Sequence, residues 1–258
     1  MIISSPQQLR QYQAVAKVST EILWQLHQKT RAGITPLEID RLADKLCRQH
    51  QVKPNFKGVG SPDNPYQHAT CISVNDVVVH GIPQDVPLKE GDLVKVDFGI
   101  EQDGWQTDHC FTVGVGTLTD EERTLLRVGR AAVLKAARGA KVGKTVGDLG
   151  HLMESTAGKY DFSVTEQYVG HGIGHLLHEE PQIPAWGEPK TGMKLTEGMG
   201  LCVEAQVIAG NSDVYTAADG WSVKTRDGSK AVMFEYMVVV GKKQPIFLTP
   251  TTAWPLTV

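Results

Sequence analysis

The sequence predicts an α/β fold built from two related halves. Three observations predict it: helix-start signals fall in two pairs, apolar strand-like runs follow each pair, and short words around those runs recur in the same order. The first pair opens at Ser5-Pro6, an N-cap followed by the proline favoured at the first helical position. Leu9, Tyr12, Ala16, Leu23 and Leu26 then recur at roughly helical spacing, up to Gly33. Thr35-Pro36-Leu37-Glu38 is a capping box and starts a shorter helix. In the second half, Thr119-Asp120-Glu121-Glu122 and Thr145-Val146-Gly147-Asp148 open another long and short pair.

The strand segments sharpen the comparison. His80-Gly81-Ile82 resembles His171-Gly172-Ile173. Glu90-Gly91 and Glu197-Gly198 each precede an apolar run, and an acid, Asp97 or Glu204, stands seven residues after the glutamate in both. Asp108 lies six residues before Gly114, and Glu235 six before Gly241. Four features in one order are read as an internal duplication. The chain is then a single domain over residues 1–258, with halves of roughly 1–118 and 119–258. Chance similarity among short glycine-rich words is the competing reading. Two α/β halves facing each other would bring their acids together at the interface.

Composition bounds the function. Apolar residues make up 41% of the chain and charged residues 21%, so a sizeable core can be buried. The net charge is −3 and no Lys/Arg block is present, so nothing points to a nucleic-acid or anionic-membrane partner. The opening Met1-Ile2-Ile3-Ser4-Ser5 lacks the charged-then-apolar pattern of a signal peptide. No apolar run approaches the ~20 residues of a membrane helix. Cys47, Cys71, Cys110 and Cys202 are scattered, which predicts reduced thiols in a cytoplasmic protein and no cysteine zinc site.

Asp97, Glu204 and Glu235 each sit inside an apolar run that reads as a buried strand. A carboxylate there costs several kcal/mol unless it is paired or bound to a metal. Ion pairing could serve Asp97, because Lys95 stands two residues before it on the same face. Glu204 and Glu235 have no basic residue within two positions, and for the three acids together a metal is the better reading. Asp103-Gly104 is a two-residue turn signal that pairs Gln102 with Trp105 and Asp97 with Cys110. Asp97 and Asp108 then lie diagonally on one face, ~7–8 Å apart at the backbone. Carboxylates reaching inward from there suit two ions ~3.5–4 Å apart.

His171, His175 and His178 supply imidazoles. The first two have the spacing of a helical zinc pair, but Gly172 stands where the helical motif has glutamate, and Gly172 and Gly174 disfavour a helix. Oxygen-rich ligands with few imidazoles and no thiolate suit Mn²⁺, Fe²⁺ or Co²⁺.

In this order, Asp97, Asp108, His171, Glu204 and Glu235 resemble the five metal ligands of the methionine aminopeptidases. Cys71 to Asn75, His80 to Pro83, Gly170 to Gly174, His178 to Pro181 and Asp219 to Trp221 match as well, so the similarity covers nearly the whole chain. The length resembles the short bacterial type I form. The resemblance implies a pita-bread fold, two pseudo-twofold α/β halves around a central curved antiparallel sheet. It implies two divalent ions, with Asp97 on one, Asp108 and Glu235 bridging, and His171 and Glu204 on the other. It implies a metal-bridged water or hydroxide as nucleophile, Glu204 as proton acceptor, His178 on the scissile carbonyl and His80 near the substrate amide. Tyr66, Cys71, His80, Leu177, His178 and Trp221 would meet the substrate. The implied substrates are N-terminal segments of nascent polypeptides, met by a cytoplasmic monomer at or near the ribosome.

Departures stand out against that family. Gly60 replaces a common cysteine, Asp63 and Leu177 replace common aromatics, Ala205 a common proline, and Met233 and Tyr236 a common glutamine and histidine on either side of Glu235. These predict a looser side-chain pocket and an altered surround for the metals. Two other functions compete. One is a proline-specific or broad aminopeptidase of the same fold, which typically carries a large extra N-terminal domain. The other is a binding protein that has lost its metal ligands, whereas all five are present here.

Overall fold

The computed structural model describes residues 1–258, and its four helices start where the caps predict. They are α1 Pro6–Lys29, α2 Pro36–His50, α3 Asp120–Gly139 and α4 Val146–Ala157. Ser5 accepts a hydrogen bond from the Gln8 N–H ahead of α1. Thr35 with Glu38, Thr119 with Glu122 and Thr145 with Asp148 all close capping boxes. Each such N-cap is worth ~1 kcal/mol. α1 ends at Lys29, earlier than Gly33, because Thr30 turns extended and its N–H is satisfied by Leu26 and His27. No helix is long and apolar enough to cross a membrane.

Each half forms its own antiparallel sheet. In the first, strand Leu93–Phe98 lies between Thr70–Val74 and His109–Gly114. The turn at Asp103 and Gly104 has φ of 54° and 79°, the left-handed pair that a two-residue hairpin requires. It sets the predicted register, Gln102 opposite Trp105 and Asp97 opposite Cys110. In the second sheet Gly200–Ile208 pairs with Ala231–Val239, which puts Glu204 directly opposite Glu235. Gly170–Gly172 lies on the other side of Gly200–Ile208, with His171 opposite Cys202.

Alternation along these strands divides core from site. Val94, Val96 and Phe98 pack with Leu23, Leu26 and Ile39 of α1 and α2. Leu201, Val203, Ala205, Val232, Phe234 and Tyr236 pack with Leu125, Leu149 and Met153 of α3 and α4. The residues between them, Asp97, Glu204 and Glu235, face the interior between the halves. The strands look uniformly apolar because both faces are covered: all nine residues of each long second-half strand are buried.

The two antiparallel ladders meet at a seam held by side chains. Thr112 Oγ1 accepts from the Met233 N–H at 2.9 Å and donates to the Met233 carbonyl. The Asp108 N–H donates to Met237 Sδ at 3.2 Å. Lys95, 1% exposed, donates to the carbonyls of Ala231 and Asn75, each at 2.8 Å. The ion pair considered for Lys95 and Asp97 does not form, because the ammonium is committed to those two carbonyls. The expected fold stands, with its central sheet realised as two ladders stitched together.

Candidate metal centre

Between the halves lies a cavity of about 590 Å³. Asp97, Asp108, His171, Glu204 and Glu235 all line it, as do His80, His178, Tyr66, Cys71, Leu177 and Trp221. The strand register explains the convergence, since each acid sits on the inward face of its strand or, for Asp108, one residue before a strand begins. Carboxylate oxygens of Asp97, Asp108 and Glu235 lie within 4.8 Å of one another. His171 Nε2 stands 3.8 Å from Asp108 Oδ2. His171 Nδ1 lies 3.0 Å from the Gly172 carbonyl, which can only accept, so Nδ1 carries the proton and Nε2 keeps its lone pair toward the acids. Glu204 Oε2 accepts from Gln206 Nε2 at 2.7 Å.

The electrostatics are those of an unneutralised cluster. Burial raises the carboxyl of Asp108, and the charges of Asp97 and Glu204 raise it further. Burial, then Asp108, Glu204 and Asp97, raises Glu235. Burial also raises Glu204, with Asp97 adding to it and Gln206 opposing. Burial raises Asp97 although Asp108 and the Phe98 N–H hydrogen-bond to it. One oxygen each of Asp97, Asp108 and Glu235 is buried with no hydrogen-bond partner. Four carboxyls without a cation are stable only if protonated or if cations join them. The orphaned oxygens and the free His171 Nε2 fit divalent metal ions.

The three histidines of the 171–178 segment separate. His178 lies beside His171, with ring centroids 4.5 Å apart. His175 turns away, places Nδ1 2.7 Å from the Gly104 carbonyl and packs at a tilt against the Trp105 ring. His80, held at φ 56°, packs edge-on against Tyr168. Burial, and secondarily His178, lowers His80 to about 4, and the same causes in the same order lower His171 to about 4. Both rings are neutral at pH 7.

The pocket walls differ from the sequence expectation. Phe56, Tyr66 and Cys71 form a small apolar cluster against which Leu177 and Trp221 pack. Asp63 is exposed and does not line the cavity, whereas Phe56 and Val59 do. A Cβ on Gly60 would come within 2.5 Å of the Trp221 ring carbons. The indole therefore fills the space left by the missing side chain, and the wall is not simply opened. Ala205 and Tyr236 lie on the helix-packed face, away from Glu204 and Glu235, so these two departures do not touch the site.

Sequence reasoning missed Cys202 and Gln206. Both are two residues from Glu204, so the period-two rule was the signal that could have found them. It also scattered the cysteines, whereas the fold brings three of the four to the acids. Cys71 and Cys110 stand opposite Asp97 on either side, and Cys202 stands opposite His171.

A family model for metallopeptidase family M24 matches residues 7–242. The chain belongs to that family. Methionine aminopeptidase 1 of Bacillus subtilis is 34% identical over 93% of this chain and 95% of its own length. The methionine aminopeptidase of Aquifex aeolicus is 35% identical over 95% and 97%. The crystal structure of methionine aminopeptidase from Thermotoga maritima superposes with a TM-score of 0.91 at 36% identity, covering 96% of this chain and 99% of that one. Within M24, these relatives place the chain among the methionine aminopeptidases. The Xaa-Pro dipeptidase of Bacillus anthracis shares the fold at 18% identity and a TM-score of 0.76, but this chain covers only 64% of it.

Proposed function

We propose that this protein is a metal-dependent aminopeptidase that removes N-terminal methionine from nascent polypeptides. The observation that carries the reading is a set of five buried ligand-type side chains lining one cavity, without a basic partner, beside a small aromatic-walled pocket. Asp97, Asp108, His171, Glu204 and Glu235 would hold two ions, with Mn²⁺, Fe²⁺ or Co²⁺ suited to the mainly oxygen donor set. When bound, such ions lower the pKa of a water and offset negative charge on a reacting carbonyl oxygen.

The protein's own groups do the rest. Glu204 takes the proton from the attacking water. Gln206 occupies its Oε2, which leaves Oε1 for that task. A ring N–H of His178 donates to the scissile carbonyl oxygen and counters charge as it develops. His80 meets the amide nitrogen that becomes the leaving amine. Tyr66, Cys71, Leu177 and Trp221 take the methionine side chain, with Trp221 and Tyr66 offering sulfur–aromatic contacts. Tyr66 is itself fixed, since its hydroxyl lies 2.9 Å from the carbonyls of Thr70 and Gly81. The enzyme acts on chains leaving the ribosome, in the cytoplasm, as a monomer and a single catalytic domain.

The test is hydrolysis of Met-Ala-Ser against an Ala-Pro peptide by chelated protein given Mn²⁺, Fe²⁺ or Co²⁺. Metal-dependent release of methionine is expected. Preference for Ala-Pro, or turnover indifferent to metal, would overturn the reading.

A further inference from the structure

Cys202 is fully buried two residues before Glu204, and its Cα partner across the ladder is His171. Its Sγ lies 3.8 Å from the Asp108 carbonyl, a weak contact that leaves sulfur lone pairs free. The sulfur of Cys202, a ring nitrogen of His171 and a carboxylate oxygen of Glu235 all lie within 4.8 Å of one another. Two of these are already committed to a ligand role by their surroundings. His171 Nε2 faces inward because Nδ1–H is taken by Gly172. Glu235, 1% exposed, has an Oε1 with no hydrogen-bond partner.

We propose that Cys202, His171 and Glu235 form a second ligand set in this centre, one that binds a thiophilic divalent cation such as Cd²⁺ or Zn²⁺. The inference rests on the reading of His171 and Glu235 as metal ligands and adds a sulfur donor to them. One sulfur, one nitrogen and one oxygen make a three-ligand set of the kind such cations accept. Bonds of ~2.0–2.3 Å bring tetrahedral ligands to within ~3.3–3.8 Å of each other, so the set need close by at most ~1–1.5 Å. On binding, the S–H bond breaks, the proton leaves to solvent, and sulfur donates an electron pair to the cation; nothing is oxidised or reduced. Oxygen-preferring ions gain little from the sulfur and stay with the carboxylates. His171 and Glu235 cannot serve both sets at once, so a soft cation takes ligands away from the oxygen-rich pair of sites.

The geometry separates Cys202 from the other two cysteines near the acids. Cys71 and Cys110 flank Asp97, but neither joins a nitrogen and an oxygen within the same reach.

The experiment is titration of chelated full-length protein with Cd²⁺, followed by ultraviolet thiolate-to-metal absorption and by ¹¹³Cd NMR. One thiolate-bound Cd²⁺ per chain is expected. Cys202→Ser should abolish the band and raise the Cd²⁺ dissociation constant at least tenfold, while Cys71→Ser and Cys110→Ser keep the band. Absence of the band and of a sulfur-shifted ¹¹³Cd signal in the native protein overturns the proposal, and that result needs no variant to fold. A band surviving in folded Cys202→Ser also overturns it. A parallel Mn²⁺ titration of native protein distinguishes the two readings. Mn²⁺ binding without the Cd²⁺ signature sinks only the sulfur ligand, and binding of neither ion sinks the metal centre itself.

Discussion

Asp97, Glu204 and Glu235 stand inside strands, all under 9% exposed, while Tyr66, Leu177 and Trp221 stand on connecting segments around the same cavity. Ladder hydrogen bonds place each acid against a fixed partner, Asp97 against Cys110 and Glu204 against Glu235. The pocket wall is placed by side-chain contacts rather than by a strand ladder: Tyr66 by its hydroxyl on the Thr70 and Gly81 carbonyls, and Trp221 by packing on Tyr66, with ring centroids 5.0 Å apart, and on the bare Cα of Gly60. Strands hold what must be positioned closely, and loops hold what may vary between relatives. The departures from the family follow that division only in part: Ala205 and Tyr236 on the long strands face the helices, but Met233, on the same strand as Tyr236, lines the cavity, and off those strands Leu177 lines it, Gly60 backs the Trp221 ring and Asp63 does neither.

The largest expected effect falls on the strand side. Asp97→Ala or Glu235→Ala should reduce turnover to background and drop bound metal below two per chain, measured by elemental analysis beside activity. Two metals and near-normal turnover in Asp97→Ala would remove the distinction. His178 lies at the border, on the segment entering strand Glu179–Ile183. His178→Ala should lower kcat by ~10²-fold or more at unchanged metal content, and a fall in metal content would make it a ligand instead.

Loop-side changes should be smaller and fall on selectivity. Gly60→Ala forces a Cβ toward Trp221 at a backbone φ of 101°, so kcat/KM for Met-Ala-Ser should fall by ~10-fold with metal content intact. Leu177→Phe restores bulk and should raise the methionine-to-leucine ratio of kcat/KM by about 3- to 10-fold. An unchanged ratio would mean that Leu177 does not meet the substrate side chain.

The smallest effect is a pH trend in the metal-free protein. A carboxyl raised by folding stabilises the fold below its unfolded value of ~4, and that contribution is lost as pH rises through the folded value. His80 and His171, lowered to about 4, oppose this trend only up to ~6.5, above which they are neutral in both states. Lys95, lowered to about 7 mainly by burial, opposes it above that, as one group against four acids. The Tm of chelated protein should therefore fall as pH rises above ~6.5, and Mn²⁺ should reverse the fall. A Tm rising with pH in the chelated form would mean that the acids are neutralised some other way.

Helix caps, the Asp103-Gly104 hairpin and the four carboxylates were legible because each is local or repeats with a fixed period. A capping box spans four residues, and a turn type fixes register for the whole hairpin. What was not legible depends on contacts between distant segments. The assignment of Lys95 to the Ala231 carbonyl is one such contact. Another is the filling of the Gly60 space by an indole 161 residues further along. His175 was misjudged for the same reason, since its partner Gly104 lies in the other half. Cys202 and Gln206 were within reach of the period-two rule once Glu204 had been placed.

The seam between the ladders bears on how the protein is made and lost. Asp97 and Asp108 come from the first half, and His171, Glu204 and Glu235 from the second, so no half alone offers the full set. On the proposed ligand set, metal is gripped only after the halves have docked, which puts its binding late on the folding route. Interactions absent from the transition state act on the unfolding rate. Metal loading should leave refolding speed nearly unchanged and lengthen the lifetime of the folded molecule, because the halves cannot part without surrendering the ions between them.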